Sequence, residues 1–155
     1  MRFLAFFSGV AILTGCARSE QETPKETEES AAVQPATASI SLADVAGKWK
    51  VRTTDEAGGS VVESELTATS DTTGWTMQLR NNPKPIPVRV VAVAGDSIVT
   101  EAGPFQSALR KGVQVSIRTV QRVQDGKMVG DVEARYKIKG ADSVAHRPLE
   151  GTRAP

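Results

Sequence analysis

The sequence is poor in the residues that build disulfides and metal sites. Its 155 residues include one cysteine, Cys16, and one histidine, His146. A single cysteine excludes a disulfide within the chain, and a lone histidine without a cysteine or histidine partner excludes the usual transition-metal ligand sets. We therefore expect no metal site, and an exposed or packed imidazole rather than a catalytic one at His146.

Excess charge and catalytic motifs are also scarce. The formal net charge is +1 and the basic residues form no cluster, so we expect no nucleic-acid partner. Nucleophile elbows, phosphate-binding glycine loops and EF-hand loops are absent from the sequence. Asp131 and Glu133 share one strand face like a glycosidase pair, but Arg135 and Lys137 follow on that face and favour a solvated charge ladder. We expect a protein that is not an enzyme and uses no cofactor.

The longest apolar run lies at the N-terminus and is short. Phe3–Leu13 follows Arg2 and is almost wholly apolar, but a bilayer-spanning helix needs about 20 such residues. The small residues Thr14 and Gly15 come next, just before Cys16. A positive residue, a short apolar run and small residues are typical of a secretory signal peptide.

The four residues Leu13-Thr14-Gly15-Cys16 resemble the lipobox of bacterial lipoproteins. The resemblance implies that residues 1–15 are a signal peptide, and that Cys16 becomes the first mature residue and carries lipid, including palmitate. Two or more acyl chains give stable membrane anchoring, whereas one gives only marginal binding. The alternatives are an ordinary signal peptide with a chance cysteine, or a buried thiol.

Residues 16–39 have the composition of a disordered tether. After Cys16 they are mostly Glu, Gln, Thr, Pro, Ser and Ala, with five glutamates against Arg18 and Lys25. Such a segment buries too little apolar surface to offset the entropy lost on ordering. The residue after Cys16 is Ala17 rather than Asp, which by resemblance to lipoproteins favours the outer membrane. We expect a lipid-anchored protein of the cell envelope, facing the periplasm or the cell surface.

Residues 40–155 alternate between apolar and polar side chains and predict one all-β domain. The pattern indicates eight strands, at 47–53, 60–68, 74–81, 86–94, 97–102, 112–122, 127–138 and 143–153. A single helical turn over Leu42–Ala46, capped by Ser41, precedes them. Short connections favour an antiparallel up-and-down meander closed as a small barrel, with a sandwich as the alternative. Val88–Ala94 is almost continuously apolar and suggests a strand buried on both sides.

The start of the first strand resembles that of lipocalins and related calycin barrels. Gly47 and Trp49 match their Gly-x-Trp motif, and Arg153 matches the arginine that lies across the tryptophan ring in that family. The resemblance implies barrel closure by these three residues. A second lipocalin motif, similar to Thr-Asp-Tyr, is missing. The alternative for Trp49 is a core aromatic in an unrelated barrel.

Two functions follow from a small barrel of this kind. An eight-stranded barrel is either filled by its own side chains or holds one small ligand. In the first hypothesis the barrel binds a small apolar or amphiphilic ligand, lined by Trp49, Trp75, Met77 and Tyr136. In the second it is a structural or protein-interaction module of the envelope, without a ligand.

Overall fold

The computed structural model describes residues 39–55 and 59–155. Within them, one short helix, α1 (Leu42–Val45), precedes eight strands. The strands are β1 (Gly47–Thr54), β2 (Val61–Ala68), β3 (Thr76–Leu79), β4 (Ile86–Ala94), β5 (Ser97–Gln106), β6 (Gln114–Gln124), β7 (Lys127–Ile138) and β8 (Ala141–Arg153). The expected signal peptide, Cys16 and the tether lie outside the described residues, except for Ser39.

Each strand pairs antiparallel with the next, and β8 pairs with β1 to close a barrel. The closing register runs from Trp49 opposite Arg153 to Thr53 opposite Leu149. This confirms the predicted all-β, up-and-down barrel of eight strands. The main differences in length are at β3, which is shorter than predicted, and β5, which continues to Gln106.

Helix α1 forms where the sequence predicts a capped turn. The Ser41 hydroxyl accepts a hydrogen bond from the Asp44 N–H, and the Asp44 carboxylate accepts one from the Ser41 N–H. These reciprocal bonds satisfy donors that a helix N-terminus otherwise leaves free. The Ile40 N–H also donates to the Gly95 carbonyl, 2.9 Å away, and so ties this segment to the turn after β4.

The meander gives the barrel two different ends. We call the end that carries α1 the helix end; the β2–β3, β4–β5 and β6–β7 turns lie there. The opposite, loop end carries the β1–β2, β3–β4, β5–β6 and β7–β8 connections. Side chains alternate along each strand, so Trp49 and Val51 are buried while Lys48, Lys50 and Arg52 face solvent. The core is therefore the barrel interior.

The expectation that Val88–Ala94 is buried on both sides is wrong. Val88 is buried, but Val91 and Val93 are 41% and 42% exposed. A bulge shifts the pairing of β4 with β5 between Val90 and Ala92. A barrel wall is a single sheet whose outer face meets solvent, so an apolar residue on that face, such as Ala92 opposite Val99, stays uncovered whatever the sequence pattern.

The seam between β3 and β4 is the shortest in the barrel. Their ladder has two residue pairs, Thr76 with Pro87 and Met77 with Ile86, and the Val88 N–H also donates to the carbonyl of Trp75, just before β3. The β3–β4 connection and the start of β4 carry prolines 83, 85 and 87, which have no N–H to donate to a strand ladder. Strand pairing therefore stops early on this side of the barrel.

Candidate functional site

The barrel interior contains a mostly apolar cavity of about 90 Å³. Its walls come from every strand of the barrel, so no single element builds it. The apolar lining residues are Val51, Val62, Leu66, Met77, Leu79, Val88, Ala102, Phe105, Ala108, Leu109, Val115, Ile117, Val132, Ala134, Tyr136 and Leu149. A cavity of this kind favours a small ligand with an apolar body.

The residues predicted to line a ligand site divide into two pairs. Met77 and Tyr136 line the cavity, at 9% and 3% exposure. Trp49 and Trp75 are almost fully buried but lie outside the lining. Each indole N–H donates over 2.8 Å to a backbone carbonyl, that of Val45 for Trp49 and that of Asp71 for Trp75. Trp49 thus links the barrel wall to α1, and Trp75 links it to the turn that precedes β3.

Arg153, Trp49 and Gly47 meet at the helix end. The Arg153 guanidinium carbon lies 4.4 Å from the centre of the Trp49 ring. Its Nη1 and Nη2 donate to the carbonyl oxygens of Ala46 and Asp44 over 2.8 and 2.5 Å. Gly47 has a φ of +129°, and a Cβ there would lie 3.0 Å from Arg153 Nη1. Glycine is therefore favoured at this position by both its backbone conformation and the neighbouring guanidinium.

The loop end provides the access to the cavity. Ser107, Ala108 and Leu109, from the connection between β5 and β6, contribute to the lining although Ala108 is exposed. The Ser107 hydroxyl accepts hydrogen bonds from the N–H groups of Leu109 and Arg110, which shapes this connection. Arg110 covers the ring of Tyr136, with its guanidinium carbon 4.2 Å from the ring centre.

Sequence reasoning missed a polar row inside the barrel. Thr100, Thr119 and Gln121 are buried at 3–5% exposure, and Arg147 lines the cavity beside them. The register places Thr100 opposite Thr119, Thr119 opposite Val132, and Val132 opposite Arg147. The signal was present in the sequence, since Arg147 shares the inward face of β8 with Leu149 and Gly151.

Asp55 lies near this row at the loop end. The β1–β8 ladder ends at the pair formed by Thr53 and Leu149. Asp55 follows Thr53 by two residues and Arg147 precedes Leu149 by two, so both lie just beyond that pair. The Asp55 carboxylate accepts hydrogen bonds from the N–H groups of Gly59 and Ser60, over 2.7 and 2.9 Å. A hydrogen bond from the Ser60 side chain, these two bonds and the attraction of Arg147 hold the pKa of Asp55 below its usual range.

The charged residues considered for catalysis lie on the outer face of the barrel. Glu133 accepts a 2.6 Å hydrogen bond from Arg135, and the register places Glu133 between Arg118 and His146. Glu101 binds both Arg89 and Arg118, and these two hydrogen bonds lower its pKa. Basic and acidic side chains thus alternate from strand to strand across this outer face, which is typical of a sheet face in contact with solvent.

Among residues 39–55 and 59–155, no group of three or more histidine, cysteine or acidic side chains is arranged to hold a metal ion. The helix in the same part of the chain is too short and too polar to cross a membrane. No family model matches the chain, and neither curated proteins nor solved structures give a significant match.

Proposed function

We propose that this chain is an exported, lipid-anchored protein of the cell envelope whose barrel binds a small apolar or amphiphilic ligand. The observation that carries the proposal is the apolar cavity of about 90 Å³ that opens at the loop end. A barrel that served only as a packed scaffold has no need of such a space, because cavities reduce stability. The resemblance of Gly47, Trp49 and Arg153 to the lipocalin closure adds support.

A second candidate, a protein-interaction module, rests on the outer face of the barrel. Val91 on β4 and Val120 on β6 are 41% and 44% exposed. Val99 of β5 lies between these two strands, opposite both Ala92 and Val120. Exposed apolar residues on neighbouring strands favour contact with another protein. We rank this candidate second because these side chains are still partly covered.

Binding is tested with 1-hexanol and an NMR titration of the domain. Burial of five methylenes at about 0.8 kcal/mol each contributes about 4 kcal/mol, which gives a Kd on the order of 1 mM. Chemical shifts should change at Ala134 and Ile117, which line the cavity. Ala134→Leu adds three carbons inside the cavity and should weaken hexanol binding at least tenfold.

The matched control is Ala92→Leu, which adds the same carbons at an exposed position on β4. It should bind hexanol as the wild type does. Equal binding by the Ala134→Leu variant, or shift changes confined to the outer valines, would show that the cavity is not the binding site.

The lipid anchor is tested by Cys16→Ser in a bacterial host. This variant lacks the thiol that the lipobox resemblance makes the site of acylation, so it should lose palmitate labelling and leave the membrane fraction or remain uncleaved. Ala17→Ser keeps the cysteine and should behave as the wild type. Undiminished palmitate incorporation into the Cys16→Ser variant contradicts the anchor and leaves the barrel proposal standing.

A further inference from the structure

We infer that the ligand of the barrel is an amphiphile with a singly charged acidic head, a small monocarboxylate whose carboxylate binds Arg147 inside the cavity. The inference rests on the proposed function and specifies its ligand class. The observation that carries it is a guanidinium that lines an apolar cavity and has two buried nitrogens, Nε and Nη1, without a hydrogen-bond partner among the described residues.

The Arg147 side chain has unmet hydrogen-bonding capacity. Its Nε and Nη1 atoms are buried, and none of the residues in 39–55 and 59–155 accepts a hydrogen bond from them. The Nε2 atom of Gln121 is also buried and unpartnered within the described chain. Buried donors normally have partners, and leaving a charged donor without one is costly. Both residues line the same cavity, so a bound acceptor can satisfy both.

The arginine is placed for a carboxylate. Its planar fork presents parallel N–H groups that match the two oxygens of a carboxylate. Thr119 lies in the same cross-strand row as Arg147, and Gln121 follows Thr119 by two residues on the inward face of β6. The polar donors thus converge from β6 and β8, while Leu66, Met77 and Leu79 on β2 and β3 line the cavity for an apolar tail.

Asp55 limits the charge of the ligand. It lies beside Arg147 because each residue is two positions beyond the Thr53–Leu149 pair that ends the β1–β8 ladder, yet no salt bridge joins the two among the described residues. Its carboxylate is held instead by the N–H groups of Gly59 and Ser60. A second negative charge on the ligand would be repelled by this nearby carboxylate. A monoanion therefore fits better than a dianion such as phosphate.

The test compares hexanoate, 1-hexanol and inorganic phosphate at pH 7 against the wild type and Arg147→Met. Hexanoate should bind the wild type at least tenfold more tightly than hexanol. Arg147→Met should lose this preference, with hexanoate weakened at least tenfold and hexanol bound as well as before or better. Arg52→Met removes an equal charge from the exposed face of β1 and should match the wild type.

Thermal unfolding separates a ligand contact from a structural role. Without ligand, Arg147→Met should melt at the wild-type temperature or higher, because it replaces two buried donor nitrogens that have no acceptor among the described residues with an apolar side chain. Hexanoate should raise the melting temperature of the wild type but not that of this variant. Arg147→Lys, which keeps the charge and loses the fork, should give intermediate hexanoate affinity.

Equal binding of hexanoate and hexanol by the wild type, or hexanoate binding retained by Arg147→Met, overturns the acidic head while the proposed function stands. Binding of neither compound overturns both. If phosphate competes with hexanoate at similar affinity, the proposal of an amphiphilic ligand is wrong, because the site would then bind an anion without an apolar tail. A lower melting temperature for ligand-free Arg147→Met assigns the arginine to the scaffold.

Discussion

Replacing Trp49 by alanine is expected to lower the free energy of unfolding by about 3–5 kcal/mol, because a large buried aromatic is lost and a cavity remains. Trp49 is 0% exposed, and its indole N–H donates to the Val45 carbonyl. The substitution therefore also removes the hydrogen bond that links β1 to α1. Urea denaturation followed by circular dichroism measures the loss.

Arg153→Ala tests the shared contact at the same end. It removes the cation–π contact and two hydrogen bonds to backbone carbonyls, and should cost about 1–2 kcal/mol. The two substitutions together should cost less than the sum of their separate effects, by about 1 kcal/mol, since each removes the same ring contact. Strict additivity would mean that Arg153 stabilises the barrel without using the ring.

Arg110→Ala is the control for this cycle. Arg110 makes a similar contact with Tyr136 at the loop end but has no backbone carbonyl among its hydrogen-bond partners in the described chain. It should cost less than Arg153→Ala, at about 0.5–1 kcal/mol for an exposed contact. A loss as large as that of Arg153→Ala would show that the carbonyl contacts contribute nothing.

Gly130→Ala should destabilise the barrel by about 3 kcal/mol, at the upper end of the range for overpacked sites. A Cβ at Gly130 would lie 2.1 Å from the Val120 carbonyl oxygen and 2.8 Å from the Gln121 Cα. Both are backbone atoms of β6, so relief requires the strands to separate where the ladder is continuous. Urea denaturation gives the free-energy difference.

Gly59→Ala is the matched control for Gly130. A Cβ at Gly59 meets no atom within 4 Å. Its effect should stay within about 0.5 kcal/mol, as for most surface substitutions. A Gly130→Ala variant as stable as the Gly59→Ala variant would show that β6 and β7 accommodate a methyl group by a small shift.

Most of the fold could be predicted because it depends on local pattern. Apolar residues at every second position along β6, β7 and β1 show one face to the core and one to solvent, and short turns leave few ways to connect the strands. The capping pair Ser41 and Asp44 is equally local. The pattern failed at β4, because apolar content alone does not say whether the outer face of a strand is covered.

The candidate site was predictable only in part. Met77 and Tyr136 were identified as large inward residues, and both line the cavity. The large size of Trp49 and Trp75 does not say whether they line a cavity or fill an end. Arg147 was not predicted because the inward face of β8 mixes small, polar and apolar residues, so its alternation does not mark which side chains face the interior. Its unpartnered nitrogens depend on what faces it across the barrel, which requires the three-dimensional register.

The two-pair seam between β3 and β4 makes the barrel unevenly resistant to local opening. Amide protons there should exchange with solvent faster than those of the long β6–β7 ladder, because fewer hydrogen bonds must break. Met77 and Val88, which line the cavity, lie on either side of the seam, so its separation would expose the side wall of the cavity to solvent. The adjoining prolines also make this stretch a poor template for a strand from another molecule, so transient opening carries little risk of aggregation.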